Sequence, residues 1–401
     1  MDKIEKLLTR GVDTIYPSKG DLEKLLLAGK KLKLYQGFDP TGAQLHIGHM
    51  VGFRKLRQWQ DLGHEVIFLI GDGTGQAGDP SGKLKAREKF FTREELRENA
   101  KNYVMQANKI VRFEGKNAVK ILYNGEWLNK LGLKDILEIL GHLSLQQLIE
   151  RDLFQERLKQ NQSINMREFI YPVLQGYDSV AMEVDLELGG SDQLFNMLVG
   201  RQLVKDYLNK EKFVMTTPLL ADSQGRKIGK TEGNVIGLTD KPEKLFGAIM
   251  ALGDDIIIKG LEYLTDISTE EIKNIANKLK TGENPMPYKK RLAFEIVQQL
   301  NNKEEAEKAA ENFEKSVQKK ELPQDVPIIY IKTADATLVD ALLETHLAES
   351  KSDAKRLITQ GGVSVNDKQI TDPNSLISSL MENKEALVRI GKRRFVKVVH
   401  S

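Results

Sequence analysis

The stretch LKLYQGFDPTGAQLHIGHMVGF, residues 32–53, decides the fold. Residues 32–38 read as a buried strand, which Asp39, Pro40, Thr41 and Gly42 break. From His46 to Gln60 the apolar positions Met50, Phe53, Leu56 and Trp59 recur at helical spacing. Residues 65–71, EVIFLIG, then form a short continuous apolar run, as expected of a parallel strand buried on both faces. Strand, glycine-bearing turn, helix and strand make one βαβ unit.

Working outward, helical patterns at residues 94–111 and 133–142 and a strand pattern at 118–122 continue the alternation, and two amphipathic helices precede it. The expected fold class is α/β, a doubly wound parallel sheet, over residues 1–222. Residues 223–316 are rich in Lys, Glu, Leu and Ala with no strand pattern beyond their opening loop, which predicts a small α-helical domain. Two prolines and dense charge mark 317–334 as a linker, and 335–401 form a third unit.

A chain of 401 residues exceeds one ordinary core, so several domains are expected. Zero cysteines exclude a disulfide framework, a thiol nucleophile and cysteine-ligated zinc, and six scattered histidines argue against a histidine metal site. No protein-ligated structural metal is expected. No apolar run is long enough for a bilayer, so neither a membrane partner nor export is expected, and a cytoplasmic location fits. A net charge of +3 leaves nucleic-acid binding to local patches.

Chemistry concentrates in a few segments. His46-Ile47-Gly48-His49 opens a helix, where unpaired backbone N–H groups and the helix dipole favour an anion such as a triphosphate. The imidazoles, three residues apart, share a face, although two surface histidines would look the same. Far downstream, Lys227-Ile228-Gly229-Lys230-Thr231 sets two lysines and a hydroxyl in a glycine-containing loop, suited to closing over pyrophosphate or simply to solvation. Tyr171, Gln175 and Asp178 fall at i, i+4 and i+7, on one helix face directed at a pocket or at solvent.

In this order the two elements resemble the HIGH and KMSKS signatures of class I aminoacyl-tRNA synthetases, the second as a variant lacking the usual methionine and serine. The segments from Tyr35 to Thr41, from Gly71 to Lys83, from Tyr171 to Asp178 and from Gly189 to Gln193 narrow the resemblance to the bacterial tyrosyl-tRNA synthetases. Where many members carry Trp-Gly after the glutamine, this chain has Leu194-Phe195. The resemblance implies a Rossmann-like catalytic domain that activates L-tyrosine with ATP and Mg2+, then charges the tRNA for tyrosine, and it implies a homodimer.

By the same resemblance, Thr41, His46, His49, Lys227, Lys230 and Thr231 serve catalysis. Tyr35, Thr74, Asp79, Tyr171, Gln175, Asp178 and Gln193 bind tyrosine, with Tyr35 and Asp178 on the phenolic hydroxyl. Gly37, Asp39, His46, Gly48, His49, Gly190, Asp192 and Lys230 contact ATP. A buried hydroxyl-binding pair left unpaired by phenylalanine gives such a site its selectivity.

The end of the chain, two helical segments followed by Gly361-Gly362-Val363-Ser364-Val365, resembles the α+β RNA-binding module of the ribosomal S-four type. Lys351, Lys355, Arg356, Arg393 and Arg394 then offer phosphate contacts, which give affinity without sequence information. Three rivals share parts of this pattern: a tryptophanyl-tRNA synthetase, a catalytically silent RNA-binding paralogue, and a nucleotidyltransferase with only the HIGH element.

Overall fold

A computed structural model describes residues 3–42, 44–81, 90–228, 235–315, 328–331, 336–345, 347–366, 368–381, 385–391 and 394–400. The chain divides into two compact units, Met1–Ala309 and Ala310–Ser401. Up to Ala309 the helical segment expected as a separate domain falls within the first unit, and Ile328–Ile331, within the expected linker, is a strand.

The first unit is built on strands β1 (Thr14–Tyr16), β2 (Lys33–Phe38), β3 (Glu65–Ile70), β4 (Lys120–Tyr123), β5 (Leu186–Gly190) and β6 (Phe213–Thr217). Their order in the sheet is β1-β6-β5-β2-β3-β4. All pair in parallel except β1, an antiparallel edge strand of three residues that the sequence pattern did not announce. From β2 the chain moves to β3 and β4 on one side and returns to β5 and β6 on the other. The carboxyl ends of β2 and β5 therefore flank a topological switch point, where ligands of such sheets bind. These two strands pair only through Leu34↔Leu186 and Tyr35↔Glu187, whereas β2 and β3 pair over six residues.

The helix Ile47–Asp61 follows β2 and buries Met50, Phe53, Leu56 and Trp59, the positions its periodicity marks. Five helices from Pro242–Met250 to Lys303–Phe313 form the helical segment. Two arginines, Arg10 just after the helix Lys3–Thr9 and Arg54 on the helix Ile47–Asp61, fasten it to the rest of the unit. Arg10 donates to the carbonyls of Leu261, Glu262, Thr265 and Ile267, at the carboxyl end of the helix Ile256–Leu264. Arg54 reaches Thr265 O at 2.6 Å and the Asp266 carboxylate at 2.6 Å. Both guanidiniums thus satisfy carbonyls that a helix leaves without partners.

The second unit is a five-stranded sheet with helices Leu338–Glu344 and Lys351–Thr359. Its strands β7 (Ile328–Ile331), β8 (Val363–Val365), β9 (Lys368–Ile370), β10 (Glu385–Ile390) and β11 (Arg394–His400) run in the order β7-β11-β10-β8-β9. Alternation along β10 turns Ala386, Val388 and Ile390 inward against Leu338, Leu342 and Ile358.

His64, 3% exposed, ties the helix Ile47–Asp61 to β2: its Nδ1 accepts the Leu32 N–H at 3.1 Å, and its ring stands edge-on to Trp59. Burial, aided by the charge of Lys31, pushes its pKa down to about 4. Between that value and the ordinary 6.5 the unfolded chain binds the extra proton, so stability falls as pH falls through this window. His64→Asn keeps an acceptor for Leu32 without titrating. Melting curves from pH 7 to 4.5 should show a smaller loss of Tm in that variant than in the parent.

Candidate active site

Where β2 and β5 part, a cavity of about 400 Å³ opens. Every residue of the first unit proposed from sequence for the site, and described here, lines it: Tyr35, Gly37, Asp39, Thr41, His46, Gly48, His49, Thr74, Asp79, Tyr171, Gln175, Asp178, Gly190, Asp192, Gln193 and Lys227. Lys230 and Thr231 lie outside the described residues.

One end of the cavity is cationic. His46 caps the helix Ile47–Asp61: its Nδ1 accepts the Gly48 N–H at 3.2 Å, and His49 Nδ1 accepts the His46 N–H at 3.1 Å. Each imidazole thereby spends its Nδ1 lone pair on the backbone, so in the neutral ring the proton sits on Nε2, a donor. A Cβ at position 48 would stand 3.0 Å from the His46 ring and 3.2 Å from Ile228 O, so any other residue requires these neighbours to give by a few tenths of an ångström. Lys227 Nζ lies 2.8 Å from the Asp192 carboxylate. The Ile47 N–H donates to Ile236 O at 3.0 Å and the Leu238 N–H to Leu45 O at 3.1 Å. Both described flanks of the lysine segment are thus pinned against the start of the histidine helix.

The other end is anionic. Asp39 accepts Thr74 Oγ1 at 2.8 Å and the Tyr171 hydroxyl at 2.9 Å, which joins a residue grouped with ATP on sequence to two grouped with the amino acid. Asp178 accepts from Asn124 Nδ2 at 3.0 Å and Trp127 Nε1 at 2.8 Å. Burial nevertheless raises its pKa well above the usual carboxylate range. Burial, then the charges of Glu187 and Asp178, raise the Tyr35 phenol as well, and its hydroxyl lies 2.9 Å from Ser179 Oγ.

Several residues here were not singled out on sequence. Ser179, Glu187 and Lys212 form a sealed cluster beneath Tyr35, in which Lys212 Nζ pairs with Glu187 Oε2 and donates to Ser179 Oγ at 2.8 Å. Burial pulls the Lys212 ammonium below its usual range, and Glu187 opposes that shift. Asn196 links Gln175 and Gln193 at 2.9 and 3.1 Å. The available signal was a glutamate inside the apolar strand Leu186–Gly190 and a lysine just before the wholly buried β6.

In the second unit, Lys351, Lys355 and Arg356 are exposed on the helix Lys351–Thr359, with Arg356 2.6 Å from Asp353. Arg394 donates to Leu347 O at 3.0 Å, and Arg393 lies outside the described residues.

Residues 27–318 match the family model for class I tRNA synthetases (W and Y). The chain belongs to that family. Residues 318–398 match the C-terminal domain model of tyrosine–tRNA ligases. Among relatives, the tyrosine–tRNA ligase of Dehalococcoides mccartyi is 39% identical over 99% of both chains, and that of Thermotoga maritima 40% over 98% of this chain and 96% of its own. Among solved structures, the C-terminally truncated mitochondrial tyrosyl-tRNA synthetase of Aspergillus nidulans has a TM-score of 0.63 at 26% identity, covering 77% of this chain and 92% of its own. The tyrosyl-tRNA synthetase of Archaeoglobus fulgidus, at 20% identity and TM-score 0.59 over 77% of this chain and 98% of its own, shares the fold. For this synthetase the polar groups that hold Asp178 matter to folding as well as to the cavity. Asp178→Asn turns an NH2 toward Asn124 or Trp127, both donors. Urea unfolding should show a loss of about 1–3 kcal/mol, the cost of one unsatisfied buried polar group.

Proposed function

We propose that the cavity binds L-tyrosine and Mg-ATP side by side, and that the chain acts as a tyrosine–tRNA ligase. The observation that carries this reading is the Lys227–Asp192 contact, with Ile228 packed on Gly48: two motifs remote in sequence meet over one cavity that is also lined by Tyr35, Asp39, Asp79 and Asp178. In this reading magnesium arrives with the nucleotide as part of the substrate.

In the first step a tyrosine carboxylate oxygen attacks the α-phosphorus, the bond to the bridging oxygen breaks, and pyrophosphate leaves. In the second, a ribose hydroxyl at the tRNA 3′ end attacks the acyl carbon and AMP departs. No covalent enzyme intermediate is needed, so positioning and electrostatics carry the rate. The ammonium group belongs among Asp39, Asp79, Tyr171 and Gln175, and the phenol next to Tyr35 and Asp178. The ribose belongs at Asp192 and Gly190. Nε2–H of His46 and His49, Thr41, Lys227 and the Lys230–Thr231 pair then serve the phosphates, where charge builds as pyrophosphate leaves.

Two further features belong to this reading. The helix Leu133–Gly141 exposes Leu133 and Leu137 by 73% and 60% at i, i+4, which supports a homodimer using this helix face. The absence of cysteine suits a reducing cytoplasm, and no described helix is long and apolar enough to cross a membrane.

Tyrosine-dependent exchange of labelled pyrophosphate into ATP tests the first step directly. Exchange should follow tyrosine and not tryptophan or phenylalanine, and folded protein without exchange above background rejects the reading. His46→Ala should lower the activation rate by roughly 10- to 100-fold while the tyrosine KM stays nearly unchanged. For the RNA step, reversing Lys351 and Lys355 to glutamate should weaken tRNA binding uniformly. The slope of log affinity against log salt should become shallower by about 2.

A further inference from the structure

Glu187 and Lys212 face each other with 2% and 0% of their side chains exposed. Replacing such a sealed ion pair by apolar groups is often neutral or favourable for stability, so stability alone does not account for it. Direction does. A carboxylate only accepts hydrogen bonds, whereas an amide can turn either its oxygen or its NH2 to a neighbour. Gln175 Nε2 donates to Glu187 Oε1 at 2.9 Å, and Gln175 Oε1 is therefore turned the other way, where it accepts from Asn196 Nδ2 at 2.9 Å. Asn196 Nδ2 also donates to Gln193 Oε1 at 3.1 Å, and Gln193 Nε2 donates to Asp79 Oδ2 at 2.9 Å. A chain of three amides thus runs between two carboxylates, which set its polarity from both ends.

Lys212 holds the inner end in place. Its ammonium spans Glu187 Oε2 and Ser179 Oγ, so the carboxylate keeps its second oxygen for Gln175. The alternative polarity, with the Gln175 NH2 group toward the cavity, would set a donor against an ammonium ion.

We propose that the Glu187–Lys212 pair is the positioning element of the amino-acid pocket: it orients Gln175 so that the amide oxygen, not the NH2 group, meets the substrate's ammonium. The inference rests on the amino-acid reading of the cavity above. Glu187 and Lys212 act through Gln175 and touch no reacting atom.

The test is equilibrium dialysis with two probes, L-tyrosine and 3-(4-hydroxyphenyl)propionate, which keeps the phenol and carboxylate but lacks the amine. The variant E187Q/K212M removes both charges at similar volume. It should bind L-tyrosine about tenfold or more weakly, as expected for a lost hydrogen bond to a charged group, while the amine-free probe changes less than about threefold. K212R, which keeps the cation, should retain the parent's preference for tyrosine. If E187Q/K212M does not melt cooperatively, E187Q/K212Q carries the same comparison with hydrogen-bonding groups at both positions. Equal weakening of both probes would mean a merely structural role, and unchanged tyrosine binding in a folded variant would likewise overturn the proposal. A parent protein that binds neither probe defeats the amino-acid reading itself, a different result from a binding parent with indifferent variants.

Discussion

Strands β2 and β5 hydrogen-bond over two residue pairs and then separate, and the site depends on that separation. Tyr35 and Glu187 form the last pair, so everything beyond them on either strand, Gly37 and Asp39 on one and Gly189, Gly190 and Asp192 on the other, borders the cavity. On its opposite side β2 stays paired with β3 to Phe38 and Ile70, which keeps one edge of the opening rigid. Parallel strands buried on both faces leave few places for polar side chains, and this gap at the switch point concentrates them.

The cavity's two ends carry opposite charge for different structural reasons. The cationic end is assembled from a helix start, whose backbone N–H groups and capping histidines come as one local unit, and from Lys227, delivered by contacts that Leu45, Ile47 and Gly48 make with both flanks of its segment. The anionic end is assembled from four elements, with Asp39 after β2, Asp79 just after the short helix Thr74–Ala77 that follows β3, Asp178 on the helix Met166–Ala181 and Glu187 on β5. Clustered carboxylates are tolerable only if each has donors. Thr74 and Tyr171 serve Asp39, Asn124 and Trp127 serve Asp178, Gln193 serves Asp79, and Gln175 with Lys212 serves Glu187.

Local pattern made the cationic end legible, because a helix cap, its glycine and its apolar periodicity all lie within residues 46–60. The face of Tyr171, Gln175 and Asp178 was legible for the same reason, helical spacing being a local property. Glu187 and Lys212 were not. A lone glutamate in a short strand and a lysine in a charged approach to β6 look like solvated positions until the β5–β6 pairing brings them together beneath Tyr35. The edge strand β1, with three residues, and β7, next to a proline-bearing charged stretch, are too short for periodicity and owe their strand form to the partners β6 and β11. Asp39 opens the turn that leads into the histidine helix, yet its carboxylate turns toward Tyr171, a contact 132 positions away.

The two ends also divide the energetics of the proposed reaction. In the proposed reaction, contacts to an ammonium group and a phenol are the same before and during attack on phosphorus, so the anionic end contributes uniform binding, selectivity and positioning of the carboxylate rather than stabilisation of developing charge. In the proposed reaction negative charge moves onto the bridging oxygen only as pyrophosphate leaves, and the donors assigned to the phosphates are the imidazole Nε2–H groups and Lys227, whose hold strengthens as that charge grows. In that proposal rigid orientation therefore matters most at the amine end, where Lys212 and the carboxylates of Glu187 and Asp79 fix the three amides. Mobility is tolerable at the phosphate end, where Lys227, 47% exposed, can exchange the Asp192 carboxylate for a developing oxyanion. On the proposed function, a cavity built this way holds the amino acid still and spends its cationic contacts on the transition state.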